Sequence, residues 1–140
     1  MPEMTRANQA MDFASHFFHG QDRLKGPLPA ELCAASYRAE IVGFPPMDAA
    51  GHGQFGTAWY AAFPDITHTI DEARPTDTGI AVRFTANGTH TGPFMGIAPT
   101  SRRVSASAFV FLTIVDGKVT HLRAMFDQMG LMRQLGVVPA

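Results

Sequence analysis

Apolar residues near the start of the chain recur at helical spacing. Ala10, Phe13, Ala14 and Phe17 share one face, which predicts an amphipathic helix from about Thr5 to Phe18. GQDRLKGP interrupts it with two glycines and a proline. A second short helix is predicted from about Pro29, where a first-turn proline is tolerated, to about Tyr37. RAEIVGF then reads as a strand, closed by Pro45 and Pro46, which cannot donate to a ladder. In MDAAGHGQFGTAWYAAFPD, the residues Phe55, Ala58, Trp59 and Ala62 recur at steps of three and four. They predict a third helix between about Ala49 and Phe63, with Asp48 as its N-cap and Pro64 as its stop. Three glycines weaken its first turns.

Beyond Pro64 the period changes to two. ITHTIDEA is one strand. GIAVRFTANGTHTG is the next, with Ile80, Val82 and Phe84 opposite to Ala81, Arg83 and Thr85. RRVSASAFVFLTIV is a long third strand, and DGK signals a hairpin into VTHLRAMF. A last helix is predicted from about Gln128 to Leu135, stopped by Gly136. Helices segregated from a strand meander predict an α+β fold: a curved antiparallel sheet over helices, with an apolar cavity on its concave side.

The 140 residues suit one domain spanning 1–140. Apolar residues make up 46% and charged residues 16%, which points to a full interior, an apolar cavity or a subunit interface. The net charge is −1 and Arg102-Arg103 is the one adjacent basic pair, so neither nucleic acid nor an anionic membrane is expected as a partner. A lone Cys33 excludes an internal disulfide and fits a buried small side chain. The N-terminal stretch lacks the pattern of a signal peptide, and no window approaches eighteen apolar residues. The expectation is a soluble, cytoplasmic protein.

No phosphate loop, dinucleotide fingerprint or nucleophile elbow is present, and the histidines at 16, 19, 52, 68, 90 and 121 show no metal-ligand spacing. No metal site is expected from them. The candidate chemistry centres on Asp127. Strand parity places it on one face with His121, Arg123 and Met125, and Thr120, Leu122, Ala124 and Phe126 on the other. If the first face looks into the cavity, Asp127 is an acid/base beside an imidazole and a guanidinium. Because it precedes a helix, the plainer reading is an N-cap, and the two roles are compatible. In NGTHTGPFMGIAPTSRR, His90 is placed at the cavity mouth with Phe94 and Met95 along its wall, or else on an exposed hairpin. His52, in GHG, either points into the pocket or begins a helix, and Trp59 is core or cavity wall.

AAFPD, GTHTGPFMGIAPTSRRV, DGKV and FDQMGLMRQLGVVP together resemble the SnoaL-like polyketide cyclases, or ester cyclases, from about Trp59 to the C-terminus. The resemblance implies a cone-shaped α+β barrel of the nuclear-transport-factor-two-like superfamily. A curved sheet would wrap around the N-terminal helices and a deep apolar pocket. It also implies a homodimer or homotetramer. The implied activity is cofactor-independent enolisation of an apolar carbonyl or polyketide-type compound, followed by intramolecular aldol ring closure. Asp127 matches the family's acid/base position. The chain departs from the family at His121-Leu122-Arg123, where Glu-His-Trp is common. Between Phe109 and Thr113 no counterpart of the family's substrate-holding histidine is found. His90, His121 and Arg123 are the candidate polar contacts, Arg123 for an anionic group. The alternatives are a hydrolase or dehydratase in the same pocket, or a non-catalytic binder of a small apolar molecule.

Overall fold

The computed structural model describes residues 6–138. Its helices are α1 (Arg6–Leu24), α2 (Ala49–Ala62) and α3 (Gln128–Leu135), and its strands are β1 (Cys33–Ile41), β2 (Thr67–Pro75), β3 (Gly79–Thr89), β4 (Arg103–Val115) and β5 (Lys118–Phe126). The strands form one open, curved sheet in the order β1-β5-β4-β3-β2. Neighbours are antiparallel except β1, which runs parallel to β5. The fold is therefore the α+β arrangement read from the pattern, with a parallel edge strand added. Among the described residues, no helix is long and apolar enough to cross a membrane.

Two boundaries differ from expectation. The first helix does not end at Phe18. Gly20 lies inside it, buried, where a Cβ would stand 3.1 Å from Pro29 Cγ, so this glycine permits close packing and does not break the helix. The break comes at Lys25 and Gly26, both at positive φ (61° and 127°). The helix predicted over Pro29–Tyr37 is also absent. A single 3-10 turn, Ala30–Leu32, leads directly into β1. Tyr37, Ala39 and Ile41 are buried while Arg38 and Glu40 are exposed, the period of two that a half-buried strand requires. Cys33 opens this strand, half-buried. Burial and then Glu31 push its thiol up to about 11, so it is not a poised nucleophile.

The other signals hold. Asp48 caps α2 by accepting from the Gly51 amide at 2.7 Å. Asp116 and Gly117 both take positive φ, as a two-residue hairpin with this twist demands. Gly136 ends α3 at φ 81°.

One face of the sheet is filled unevenly. Towards α1 its inward residues are large: Ile80, Val82, Val110, Leu112 and Leu122 pack with Phe17 and Ala14. Further along, the inward positions Ala86, Ala106, Ala108 and Ala124 are small. Ala86 pairs with Ala106 across β3 and β4, and Ala108 pairs with Phe126 across β4 and β5. Short side chains at neighbouring positions leave the space that α2 roofs over.

Candidate active site

That space is a cavity of about 140 Å³, open to solvent. Its sides are apolar: the alanines above, Phe18 from α1, Phe55 and Trp59 from α2, and Phe84 and Phe126 from the sheet. The polar side chains in its lining are Gln21, His52, Tyr60 and His68. Gln21 is spoken for in part, since its amide donates to the Gly26 carbonyl at 2.9 Å. The remaining three belong to two clusters.

The first cluster is His68 with Asp22 and Tyr60. Asp22 projects from the last turns of α1, beside β2. Its Oδ1 accepts from His68 Nδ1 at 2.6 Å and from the Tyr60 hydroxyl, while Oδ2 accepts from the His68 backbone amide at 2.9 Å. Burial alone would raise the Asp22 carboxyl. The hydrogen bond and charge of His68, with the Tyr60 hydroxyl and the amide, outweigh it and hold the pKa below the ordinary carboxylate value. A carboxylate only accepts, so the proton between the two side chains sits on His68 Nδ1. The Tyr60 phenol is pushed up by burial and by the Asp22 charge, and stays a neutral donor. The imidazole packs against the rings of Phe18 and Phe84, with centroids 5.5 and 4.7 Å away, and those two rings also touch each other. Its Nε2 has no hydrogen-bond partner among the described residues.

The second cluster is His52 with Tyr37. The Tyr37 hydroxyl and His52 Nδ1 are 2.7 Å apart and buried. Assigning the phenol as donor satisfies its proton and leaves His52 Nε2 carrying the N–H. Burial pushes His52 down to about 4, so the ring is neutral at neutral pH. The cavity thus holds two imidazoles whose Nδ1 atoms play opposite parts: that of His68 donates to an anion and that of His52 accepts from a phenol.

The residues picked from sequence are dispersed. His52 and Trp59 line the cavity. Phe94 stands one layer behind the wall, 4.6 Å from the Trp59 ring, and Met95 is exposed. His90 is not at a mouth but fully buried, against Phe63. Its Nδ1 accepts from the Thr100 amide at 3.2 Å and so pins the loop between them. On β5, the face that looks into the cavity is the one carrying Leu122, Ala124 and Phe126. His121 and Arg123 therefore point outward: His121 meets Glu40 at 2.7 Å, and Arg123 lies over the Phe111 ring. Asp127 is exposed at the end of β5, where it caps α3 by accepting from the Gly130 amide at 2.9 Å. It is one residue beyond Phe126 of the wall.

Asp22, Tyr37, Tyr60 and His68 were missed. The signal for His68 was present: it shares strand parity with Ile66 and Ile70. Asp22 lies four residues after Phe18, on the apolar stripe of α1, but only if the helix is run past Gly20. Among the described residues no three His, Cys, Asp or Glu side chains are grouped to hold a metal.

The profile of the SnoaL-like polyketide cyclases matches residues 9–135. The chain belongs to this family. Its relatives include aklanonic acid methyl ester cyclase AcmA of Streptomyces galilaeus, 38% identical over 73 residues, 47% of this chain and 51% of that protein. Nogalonic acid methyl ester cyclase of Streptomyces nogalater is 36% identical over 80 residues, 56% of this chain and 60% of that protein. The chain thus spans little more than half the length of these curated relatives. Among solved structures, AclR of Streptomyces galilaeus, a proposed hydroxylase, superposes with a TM-score of 0.85 at 22% identity, over 96% of this chain and 89% of that one. IdmH of Streptomyces antibioticus, a proposed polyketide cyclase, gives 0.80 at 25% identity, over 91% and 99%. This SnoaL-like chain shares their fold across nearly its whole length.

Proposed function

We propose that this SnoaL-like protein is a cofactor-independent cyclase. It would enolise an apolar carbonyl or polyketide-type compound and close a ring by intramolecular aldol addition. The observation that carries this reading is the cavity: an aromatic box with a few fixed hydrogen-bonding groups, in a chain whose matched relatives are named as aklanonic and nogalonic acid methyl ester cyclases. Space of this size accepts about one aromatic ring, so a fused-ring substrate would project through the opening. Asp127, beside Phe126 at the end of the wall, supplies the base implied by the family position. Its Oδ1 is engaged by the helix amide, leaving Oδ2 for a carbon-bound proton.

A second copy of the chain is the proposed partner. It would cover the outer sheet face, where Phe109, Phe111 and Met125 are exposed and Phe109 pairs with Met125. A cytoplasmic location completes the reading.

The test is incubation of the purified protein with aklanonic and nogalonic acid methyl esters, followed by chromatography and mass spectrometry. Ring closure gives a product of unchanged mass and new retention. A product lighter by one water would favour a dehydratase, and binding without conversion a non-catalytic carrier. Asp127→Asn should lower kcat by about a hundredfold or more.

A further inference from the structure

Three side chains from three elements converge on one wall of the cavity: Asp22 from α1, Tyr60 from α2 and His68 from β2. This arrangement is costly if it only stabilises the fold. A carboxylate, a phenol and an imidazole are withdrawn from most of their water, and the ion-pairing geometry turns the second ring nitrogen to the cavity without a protein partner. That nitrogen, His68 Nε2, belongs to a ring that lines the cavity. Everything around the ring fixes its orientation. Phe18 and Phe84 hold it, Asp22 anchors Nδ1 and the backbone amide, and His19 Nε2 lies 2.9 Å from its carbonyl. Asp22, Tyr60 and His19 are the titratable groups in contact with this residue.

We propose that His68 is a catalytic residue that binds a substrate carbonyl oxygen through Nε2 and protonates it as the new carbon–carbon bond forms, with Asp22 and Tyr60 as positioning residues. The proposal rests on the cyclase reading for its reaction, but not for its binding geometry. In the step, the enolate carbon attacks the second carbonyl carbon and the C=O π pair moves onto oxygen. That oxygen takes the proton from His68 Nε2, leaving a neutral imidazole whose Nδ1–H remains on the Asp22 carboxylate. The proton taken from carbon leaves through the base to solvent, and solvent restores the proton on Nε2. No oxidant or reductant enters, and substrate and product are isomers.

The test uses 2-tetralone labelled with carbon-13 at its carbonyl, a bicyclic ketone that can seat one ring in the cavity and leave the other in its opening. The expected result is a downfield carbonyl shift on binding to the wild-type protein. The shift should be lost in His68→Asn and His68→Gln while affinity changes no more than a few-fold. Asp22→Asn, which keeps the size of the side chain, should weaken the shift. With a polyketide methyl ester that is turned over, His68→Asn should lower kcat by about 10²–10⁴-fold with little change in KM, as expected for an acid used in the transition state. An unshifted carbonyl, an equal shift in folded His68 variants, or no binding to wild-type protein would overturn the proposal. A shifted carbonyl with no ring closure on any ester would refute the cyclase reading and leave the His68 subsite standing.

Discussion

His52 and His68 line the same cavity and differ in what stands behind them. His52 is backed by a phenol and His68 by a carboxylate. Behind His52, burial is opposed by no charge, so the ring is kept neutral and its Nε2–H becomes a fixed donor. Behind His68, Asp22 keeps a proton on Nδ1 and gives a ring that also carries one on Nε2 a counter-charge. The same side chain is thereby made into two different tools by one hydrogen bond each. A neutral donor suits holding an oxygen, and an anion-backed imidazole suits moving a proton.

Removing the anion should have the largest effect. Asp22→Ala leaves the Tyr60 hydroxyl and His68 Nδ1 without their shared acceptor inside the protein. We expect a loss of about 3–5 kcal/mol in urea unfolding at neutral pH, the usual cost of breaking such a buried pair from one side. Tyr37→Phe at the other corner, where no charge is stranded, should cost only about 1 kcal/mol.

Acid should separate the two corners next. The folded-state value for His52 is about 4, below its unfolded value of 6.5. As pH falls below 6.5, the unfolded chain takes up a proton that the folded chain refuses. Stability is therefore lost progressively on acidification from about 6.5 to 4. The shift corresponds to roughly 3 kcal/mol in full, most of it gone by pH 4.5. His52→Gln should flatten this part of the profile. Asp22, whose value is lowered, contributes in the same sense only below the ordinary carboxylate value.

Filling the space between the corners should leave both intact. Ala108→Leu places three more carbon atoms in the cavity. We expect ligand affinity to fall at least tenfold, while both histidine rings keep their NMR signals and stability changes by no more than about 1–3 kcal/mol. The smallest effect should come from outside the comparison. Asp127→Ala removes the cap of α3 and should cost about 1 kcal/mol, with neither ring disturbed.

What the sequence disclosed follows from how local each signal is. The alternation in β3 and β4, the Asp116-Gly117 turn, the Asp48 cap and Gly136 are written in consecutive residues and were legible. The end of α1 was not, because Gly20 looks like a stop until Pro29, nine residues on, is seen packed against it. β1 was hidden because its first half, Cys33 to Ser36, carries small residues with weak alternation, and its pairing partner lies at the far end of the chain. These two features also hide most of the site. With α1 cut short, Asp22 fell in a supposed loop, and without Asp22 there was no reason to single out His68. On β5 the parity was read correctly. Which parity faces inward depends on packing against α2 and on the alanines of β4, and no pattern within β5 contains that information. The position of Asp127 as a cap was readable because a cap is local.

The most direct measurement is the nitrogen-15 NMR of the histidine rings in the wild-type protein, followed from pH 7 to pH 4. We expect His52 to remain singly protonated, at Nε2, until the pH approaches 4, and the Nδ1 of His68 to be protonated throughout and hydrogen-bonded to Asp22. A His52 ring that gains its second proton near pH 6.5, or a His68 ring with a bare Nδ1 at neutral pH, would contradict the assignment of a donor and an acid to the two corners.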